Sequence, residues 1–472
     1  MSSRAPLVLR ADELAAAVEG ALVSGRPDAV VAGFSIDSRR IMPGDLFVAI
    51  LGKSFDGHAF TTEAVRKGAS GMIISDSSAA PVGAEGDVKP IVIVVRNTIR
   101  ALQLLGRHIR RASGVRVVAV TGSIGKTTTK EIIATLLALR YHVFRNTGNL
   151  NNHIGLPLSL LELRNLPDIA VVEFGMNHAG EIRTLLQIAE PEIRVWTNVA
   201  EAHLGFFESI DAIADAKAEV LENATSETDL IVNAADPRVM IRAAGFPGRV
   251  TTFGLEVEAV IGACGVRSLG LDGMEAMVRT PVGSGILRTP LLGPGNVANV
   301  LAAIAVAFRF QVPLGAMLTA VGALEPQPRR GKVVRLRDVT LVDDSYNSNP
   351  TALRLTLEAV GRESRGARRV AVLGEMLELG PSASALHAAC GRAAVAAGFE
   401  FVIAVGGSPA RALADATREA GLPASAVVTC ATSTEAADVA QQHVRAGDLV
   451  LIKGSRGVGM DVVVDRLKTT LA

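Results

Sequence analysis

The stretch VAVTGSIGKTTTKEIIATLL, residues 118–137, combines residue types that can hold the phosphates of a nucleotide. A β-branched run leads into glycines, and residues at helical spacing follow them, which is the strand–loop–helix order of a phosphate-binding loop. Backbone N–H groups from Gly122 to Gly125, at the start of a helix, can bind phosphate oxygens, and Lys126 adds a positive charge. We therefore predict that the chain binds ATP.

The hydroxyl of Thr127 or Thr128 in the same loop can bind Mg²⁺, as in other phosphate loops. The first glycine of the common pattern G-x-x-x-x-G-K-[ST] is absent, because Val120 stands at its position. The loop still predicts a set of nucleotide-binding residues: Gly122, Ser123, Gly125, Lys126, Thr127 and Thr128.

Three further residues could hold or orient the metal. Glu173 ends the strand-like run DIAVVEF, where a carboxylate beside a phosphate loop can bind Mg²⁺. His203 follows a strand end in WTNVAEAHLGFF, and a structural role for it stays open. Lys217, in IADAKAEVL, would by itself be read as a solvated helix lysine. Reaction with CO₂ would convert it to a carbamate that can bridge Mg²⁺ ions, and the spacing does not decide between the two.

Polar loops elsewhere offer candidates for substrate contacts. The loop TGNLNNHIGLP contains Asn149, Asn151 and Asn152, for which turn formation is the alternative role. Asn296 and Asn299, in LLGPGNVANVLAA, stand at a helix start, where the role of either could be limited to capping. Arg330, in PQPRRGKV, could contact ATP phosphates or be solvated.

The composition limits the class of protein. The chain has 472 residues, 49% of them hydrophobic, and its length suggests roughly three domains. Its net charge of +1, from 48 basic and 47 acidic residues, argues against a broad nucleic-acid surface. The first residues have no apolar run typical of a signal peptide, and the longest apolar stretch, NVANVLAAIAVAF, is too short to cross a bilayer. We expect a soluble cytoplasmic monomer, whose three separate cysteines suit a reducing compartment.

The predicted elements explain how these residues are positioned. Residues 1–97 alternate β-like runs with loops. Residues 98–326 open with the helical pattern TIRALQLLGRHIRR and continue with strands separated by helices, which favours a mainly parallel sheet. Residues 327–472 alternate again, with DDSYN, GEM and KGSRG at strand ends, where parallel sheets bind ligands. The predicted fold class is α/β.

Five motifs, in this order along the chain, resemble those of the Mur ligases: TGSIGKTTTKE, EFGMNHAGEI, TNVAEAHLGFF, GPGNVANVLAA and VDDSYNSNP. Mur ligases are ATP-dependent amide-bond ligases of peptidoglycan precursor synthesis, and the similarity covers nearly the whole chain. They use a shortened TGxxGKT loop, so Val120 fits the family. Gly295 stands where the family often has histidine, and Arg329-Arg330 stands where it often has Gly-Arg.

The resemblance implies a reaction and a substrate for each of the three domains. The strings SIDSRRIMPGDLFVAILGKSFDGHAF, GEMLELG and VLIKGSRG are most similar to the family member that joins D-alanyl-D-alanine to UDP-N-acetylmuramoyl-tripeptide through an acyl phosphate. A small α/β domain, residues 1–97, would bind the UDP-sugar. A central P-loop ATPase-like domain, residues 98–326, would bind ATP and Mg²⁺, and a Rossmann-like domain, residues 327–472, the dipeptide. The third residue of the tripeptide, diaminopimelate or lysine, stays open.

The resemblance also implies roles for single residues. The catalytic residues would be Lys126, Glu173, His203 and Lys217. The metal ligands would be Thr127, Glu173, His203 and a carbamylated Lys217. Beyond the phosphate loop, ATP would be contacted by Asn296, Arg330, Asp344 and Asn347. The other substrates would be contacted by Ser35, Asp37, Ser38, Arg39, Asn149, Asn152, Lys453, Ser455 and Arg456. On composition alone, the stretch around Ser35–Arg39 could equally be a solvated loop.

Two alternatives to this reaction stay open. A related ligase of the folylpolyglutamate or cyanophycin type would use the same ATP chemistry on a different acid. A regulator with a phosphate loop that recognises a muropeptide would bind ATP with little turnover.

Overall fold

The computed structural model describes residues 5–52, 55–81, 89–202, 204–362 and 366–471. Within these residues the strands form three sheets, of five, nine and six strands, and most strand pairs are parallel. This confirms the predicted α/β class. Among the helices of the described ranges, none combines the length and the apolar composition needed to cross a membrane.

The first sheet is small and mainly parallel. Its strands and the helices near them are α1 (Ala11–Ala17), β1 (Ala21–Ser24), β2 (Gly33–Ser35), β3 (Asp45–Val48), α2 (Thr61–Arg66), β4 (Gly71–Ile74) and β5 (Ile91–Val94). Strands β5, β4, β3 and β2 are parallel neighbours, and β1 lies antiparallel beside β5. Phe47, Met72 and Val92 from three strands pack with Ala64 of α2 in one apolar cluster. The segment that follows β2 carries the predicted UDP-sugar residues.

The second group of elements contains the phosphate loop. It consists of α3 (Thr98–Ser113), β6 (Arg116–Thr121), α4 (Lys126–Leu137), β7 (Val143–Arg145), α5 (Gly155–Leu160), β8 (Ile169–Glu173), α6 (Glu181–Ala189), β9 (Ile193–Trp196), α7 (Ile210–Ala218), β10 (Asp229–Asn233), α8 (Pro237–Ala243), β11 (Arg249–Leu255), β12 (Ile261–Ser268), β13 (Met274–Thr280), β14 (Gly283–Thr289), α9 (Pro294–Arg309) and α10 (Leu314–Gly322). The predicted strand β6, loop and helix α4 are confirmed.

Strands β6, β8 and β7 pair in parallel, and so do β10, β11 and β12. Strands β12, β13 and β14 are antiparallel neighbours, an extension that the sequence analysis did not predict. The residues of β13 alternate between buried and exposed positions, as in a sheet with one solvated face. They therefore lack the continuous apolar run by which the buried parallel strands were predicted.

The third sheet carries apolar clusters on both faces. Its elements are β15 (Lys332–Arg335), β16 (Thr340–Asp344), α11 (Pro350–Gly361), β17 (Arg369–Gly374), α12 (Ala383–Ala396), β18 (Phe401–Val405), α13 (Ser408–Glu419), β19 (Val427–Cys430), α14 (Ser433–His443), β20 (Leu449–Lys453) and α15 (Asp461–Leu471). The strand order is β15-β16-β20-β17-β18-β19, with only the β15–β16 pair antiparallel within the described residues. Val370 and Val372 join one cluster, and Ala371 and Leu373 join the other, because successive strand residues face opposite sides.

The chain divides into two compact units. The first contains residues 1–120 and 140–194, and the second contains residues 121–139 and 195–472. The phosphate loop, α4 and the third sheet belong to the second unit, whereas Glu173 and the first sheet belong to the first. The predicted domain boundaries near residues 97 and 326 stay a prediction.

Candidate active site

The phosphate loop of the second unit connects the end of β6 to Lys126, the first residue of α4. Two of its glycines have backbone angles that other residues rarely adopt, with φ at 146° for Gly122 and 82° for Gly125. A side chain at Gly122 would collide with the Thr197 hydroxyl, and one at Gly125 with the Asn299 amide. Glycine is therefore required at both positions.

Asn198, just after β9, holds the loop in place. Its Oδ1 accepts a hydrogen bond from the Ile124 N–H at 2.9 Å, and its Nδ2 donates to the Ile124 carbonyl at 3.0 Å. The Asn198 carbonyl accepts from the Ser123 N–H at 3.1 Å. The Thr197 hydroxyl donates to the Ile124 carbonyl at 2.9 Å. The Ser123 and Ile124 N–H groups of the predicted phosphate cradle thus bond to the protein itself, so the candidate phosphate-binding groups are the N–H groups at the start of α4.

Several predicted nucleotide residues meet at the first turn of α4. The Lys126 ammonium donates to the carbonyls of Gly122 at 2.9 Å and Ser123 at 3.2 Å. The Arg330 guanidinium donates to the Thr127 hydroxyl at 3.1 Å. Thr128 lies half-buried in the same turn. Two cationic side chains thus lie at a helix N-terminus, an arrangement that suits an anion such as a phosphate.

Asn299 links the phosphate-loop helix to α9. The Thr129 hydroxyl donates to Asn299 Oδ1 at 3.2 Å, and Asn299 Nδ2 donates to Asn296 Oδ1 at 3.0 Å. The predicted ATP residue Asn296 donates to the Leu292 carbonyl at 2.8 Å. Asn299 was placed at a helix start from the sequence, but it was not among the predicted ATP residues. It is buried, and its side chain bonds to both α4 and Asn296, so its role is more than capping.

Lys217 is buried on α7, with 2% of its surface exposed. Burial lowers the pKa of its amine well below the ordinary value of 10.5, and the positive charge of Lys126 lowers it further. The interpretation of Lys217 as a solvated helix lysine, which its helical surroundings in the sequence suggested, is therefore wrong. A buried amine with a lowered pKa is nucleophilic near neutral pH, which is the condition for reaction with CO₂.

The carboxyl ends of β16 and β20 bring four predicted residues together. The Lys453 ammonium donates to Asp344 Oδ2 at 2.6 Å and to the Asn347 carbonyl at 3.0 Å. Ser455 Oγ accepts from the Leu377 N–H at 2.9 Å, and Lys453 and Ser455 are both buried. Their hydrogen bonds hold the strand ends together. Asn347 is exposed beside them.

In the first unit, Glu173 ends β8 opposite Val120 of β6 and is 4% exposed. Its Oε1 accepts from Asn151 Nδ2 at 2.8 Å, and its N–H donates to Asn146 Oδ1 at 3.2 Å. The Asn152 side chain accepts from the N–H of Gly155, the first residue of α5, at 2.8 Å, whereas Asn149 is exposed. The Glu173 carboxylate is therefore oriented by Asn151, for which the sequence predicted either a substrate contact or turn formation.

The predicted UDP-sugar residues form a turn after β2. Ser35 and Ser38 are buried, so the stretch is not simply a solvated loop. The Asp37 carboxylate accepts from the Arg39 backbone at 3.0 Å and pairs with its guanidinium at 2.9 Å. The hydrogen bond from Arg39 lowers the pKa of Asp37 to about 2. Ser38 Oγ donates to Glu63 at 3.2 Å. The turn thus exposes the Arg39 guanidinium to solvent, and the pairing with Asp37 holds its side chain in place.

His203, predicted as a metal ligand, lies outside the described residues. Among the residues that are described, no three His, Cys, Asp or Glu side chains gather as a metal centre. Mg²⁺ usually takes one or two carboxylates and completes its shell with water and substrate phosphates. A dedicated protein cage is therefore not what a Mg²⁺–nucleotide site requires.

Three family models match the chain in sequence. They are the Mur ligase family catalytic domain over residues 30–112, the Mur ligase middle domain over residues 120–307, and the Mur ligase glutamate ligase domain over residues 329–456. The UDP-N-acetylmuramoyl-tripeptide–D-alanyl-D-alanine ligase of Synechocystis is 34% identical, over 91% of this chain and 90% of that protein. The Escherichia coli protein of that name is 33% identical, over 93% and 94%.

Solved structures agree with the sequence matches. MurF from Acinetobacter baumannii superposes with a TM-score of 0.87 at 30% identity, covering 98% of this chain and 100% of that one. MurF ligase from Thermotoga maritima, in complex with ADP, gives 0.81 at 27% identity, covering 93% and 97%. Folylpolyglutamate synthase from Mycobacterium tuberculosis gives 0.60 at 20% identity over 79% of this chain and 94% of that one, a likeness of fold alone. The predicted three-domain architecture is confirmed by the first two.

Proposed function

Because the chain belongs to the Mur ligase family, we propose that it joins D-alanyl-D-alanine to UDP-N-acetylmuramoyl-tripeptide in an ATP-dependent step of peptidoglycan precursor synthesis. The observation that carries the proposal is the match to ligases of that name over 91% and 93% of the chain. The structural likeness to MurF over 98% of the chain supports it.

The reaction needs ATP because a carboxylate is a poor acyl donor. Transfer of the γ-phosphoryl group to the terminal carboxylate of the tripeptide gives an acyl phosphate and ADP. The amine of D-alanyl-D-alanine attacks its carbonyl carbon, the tetrahedral intermediate expels phosphate, and the amine proton is lost to solvent. The acyl phosphate is the reactive species, because phosphate is a far better leaving group than oxide.

The residues at the first turn of α4 match the charge that this reaction develops. ATP and the substrate carboxylate are both anionic, so their approach is opposed by Coulomb repulsion. Lys126 and Arg330 are the cations next to the loop, and the helix N-terminus contributes N–H groups. We assign Lys126 and Arg330 to the phosphates of ATP.

Lys217 is proposed as a carbamylated residue. Its amine is buried and its pKa is lowered, so the neutral form that attacks CO₂ is available at neutral pH. The neutral amine attacks the carbon of CO₂ and loses a proton to solvent, which gives R–NH–COO⁻. This places an anion close to Lys126, whose positive charge would attract it.

The donor set also fits Mg²⁺. Thr127 offers a hydroxyl oxygen, Glu173 a buried carboxylate and carbamylated Lys217 a second anion, which are the oxygen ligands this ion prefers. His203 completes the proposed ligands. Bound Mg²⁺ would offset the negative charge on the phosphates. The protein orients the Glu173 carboxylate through Asn151.

The other substrates are assigned to the outer parts of the chain. We propose that residues 1–97 hold the UDP-sugar, with the exposed guanidinium of Arg39 available to an anionic diphosphate. Residues 327–472 would hold the dipeptide. Because Lys453 and Ser455 are buried in internal hydrogen bonds, they would shape that site, and Arg456 is exposed for contact.

The proposal is tested by measuring ADP and phosphate release from ATP with Mg²⁺, adding each acceptor alone and both together. Two tripeptides, with diaminopimelate or lysine at position three, should be compared. Turnover that needs tripeptide and dipeptide, with a UDP-N-acetylmuramoyl-pentapeptide product, is expected. ATP binding without turnover would favour a regulator, and turnover only with a folate or another acid would favour a related ligase.

A pair of variants serves as control. Lys126→Met should abolish turnover because it removes the cation beside the phosphate loop. Arg466→Met removes a partly exposed arginine of α15 that pairs with the exposed Asp438, and should leave turnover nearly unchanged. Equal losses in both would show that the assay reports general destabilisation.

A further inference from the structure

Tyr346, in the loop after β16, contacts two arginines. The Arg330 guanidinium carbon lies 4.1 Å from the centre of its ring, and that of Arg456 lies 5.5 Å from it. Arg456 also donates to the Tyr346 hydroxyl at 3.3 Å. The Arg330 distance is well within the range of a cation–π contact, whereas that of Arg456 is near its limit. The shorter contact is therefore the one that can fix an arginine.

The backbone around Arg330 is tied to the same loop. The Tyr346 N–H donates to the Arg329 carbonyl at 3.0 Å, and the Arg330 N–H donates to the Gln327 carbonyl at 3.1 Å. The Arg329 side chain pairs with Asp461 of α15 at 2.9 Å. These contacts fix the backbone of the turn on both sides of Arg330. The contact with the Tyr346 ring fixes the Arg330 side chain as well.

The far end of the Arg330 side chain reaches the phosphate loop. Its Nη2 donates to the Thr127 hydroxyl at 3.1 Å, in the first turn of α4. An arginine side chain carries about 2 kcal/mol of rotamer entropy, so an unsupported one would sample many positions. The contact with the Tyr346 ring keeps the Arg330 guanidinium over the ring face, and the hydrogen bond to the Thr127 hydroxyl sets where its Nη2 points.

We propose that Tyr346 is a positioning residue, whose ring holds the Arg330 guanidinium at the phosphate loop for contact with a nucleotide phosphate. This inference rests on the proposed function, because it assigns Arg330 to ATP. The ring face carries the effect. The hydroxyl contributes little, since its partner Arg456 is exposed and the hydrogen bond is long.

The experiment is a double-mutant cycle on purified full-length protein, with turnover measured against ATP concentration. Tyr346→Phe keeps the ring and should retain kcat/KM for ATP within about twofold, because the cation–π face is unchanged. Tyr346→Leu removes the face and should lower kcat/KM for ATP about 5- to 30-fold, the effect expected of a partly shielded cation–π contact. The KM values for tripeptide and dipeptide should stay within about twofold, since the contact concerns the ATP phosphates.

The Arg330→Ala background decides whether the ring acts through the arginine. There, Tyr346→Leu should cost less than about twofold more, because the group it positions is gone. An undiminished loss in that background would overturn the proposal, since the ring would then act directly, for example on the nucleotide base. Equal losses for Tyr346→Phe and Tyr346→Leu would also overturn it, because the hydroxyl would be the active part.

Folding and the proposed function are checked separately. Thermal unfolding shows whether each variant is folded. If Tyr346→Leu is not folded, a loss of kcat/KM for ATP in Tyr346→Phe would still refute the proposal, because that variant keeps the ring. Should the wild-type protein bind ATP without ligating, the same cycle on Mg²⁺–ATP affinity, measured by calorimetry, would still test the coupling. Failure of the cycle with normal wild-type ligation refutes the positioning role alone.

Discussion

The ion pair between Lys453 and Asp344 at the edge of the third sheet allows a quantitative prediction. The two residues are directly opposite on the parallel strands β20 and β16, with 2.6 Å between Nζ and Oδ2. The side chains are 4% and 16% exposed. Lys453 also donates to the Asn347 carbonyl, and the Thr356 hydroxyl donates to Asp344. We predict that Lys453→Met destabilises this region by about 3–5 kcal/mol.

The magnitude follows from what the substitution leaves behind. Two unit charges 2.6 Å apart attract by roughly 6 kcal/mol at an effective dielectric constant of about 20. Desolvation of both ions offsets much of this attraction in the intact pair. The methionine variant keeps the desolvation of Asp344 and loses the attraction. Adding Asp344→Asn removes the stranded charge, so the double variant should recover to within about 2 kcal/mol of the wild type.

Hydrogen exchange followed by mass spectrometry is the suitable assay, because a chain of several domains does not unfold in one two-state step. Peptides that contain β16 and β20 report the local opening free energy. The matched control is Arg466→Met, which breaks a pair to Asp438 of the same 2.6 Å length but with 38% and 55% exposed side chains. Its effect should be below about 1 kcal/mol.

Two results would refute this reasoning. If Lys453→Met costs no more than the exposed control, the buried pair is screened by solvent as effectively as a surface pair. If the double variant is as unstable as Lys453→Met alone, the lysine acts through the packing of its aliphatic stem, and the charge on Asp344 is irrelevant.

Three other substitutions test the site and its supports. In CO₂-free buffer, Lys217→Met should be more stable than the wild type at pH 7, with an advantage in Tm that shrinks towards pH 10. The reason is that the lowered pKa makes wild-type stability rise with pH, up to the ordinary value of 10.5. Asn151→Leu should destabilise β8 by about 1–3 kcal/mol in hydrogen exchange, because the buried Glu173 carboxylate loses a donor. His387 is buried, accepts from the Met376 N–H at 2.8 Å and has a pKa lowered by burial, so wild-type stability falls as pH drops below 6.5. His387→Gln should therefore show a smaller loss of Tm between pH 7 and pH 5.

The parts of the site that the sequence predicted are those that local spacing determines. The run before Gly122 forms β6, and the residues from Lys126 onward form α4. Glu173 ends β8, and Asp344 and Lys453 end β16 and β20 as predicted. Each of these positions depends on a strand or helix whose own residues specify its period and its end.

The contacts that the sequence did not predict join distant parts of the chain. Asn198, which was not predicted, binds Ile124 from 74 residues away, and the predicted ATP residue Arg330 reaches Thr127 across 203 residues. The helix and strand periodicity of the sequence carries no information about partners so far apart. Asn198 gave one usable signal, since a polar pair directly after the buried strand β9 stands where parallel sheets bind ligands. Tyr346 lies in the motif DDSYN, which the sequence places at a strand end, but its contact with Arg330 appears only when the Arg330 side chain is in place.

The arginine pair before the third sheet shows how a departure from a family pattern can be accommodated. Arg329, at the position where Mur ligases often have glycine, has φ at 63°, in the left-handed region that glycine adopts freely. The backbone conformation is thus kept although the residue has changed, at a cost of about 1 kcal/mol. The ion pair of Arg329 with Asp461 can offset up to about 1 kcal/mol of that cost, since the arginine is 44% exposed. Arg329 therefore adopts the conformation that glycine would adopt at this position, which makes the substitution compatible with an Arg330 side chain that reaches Thr127.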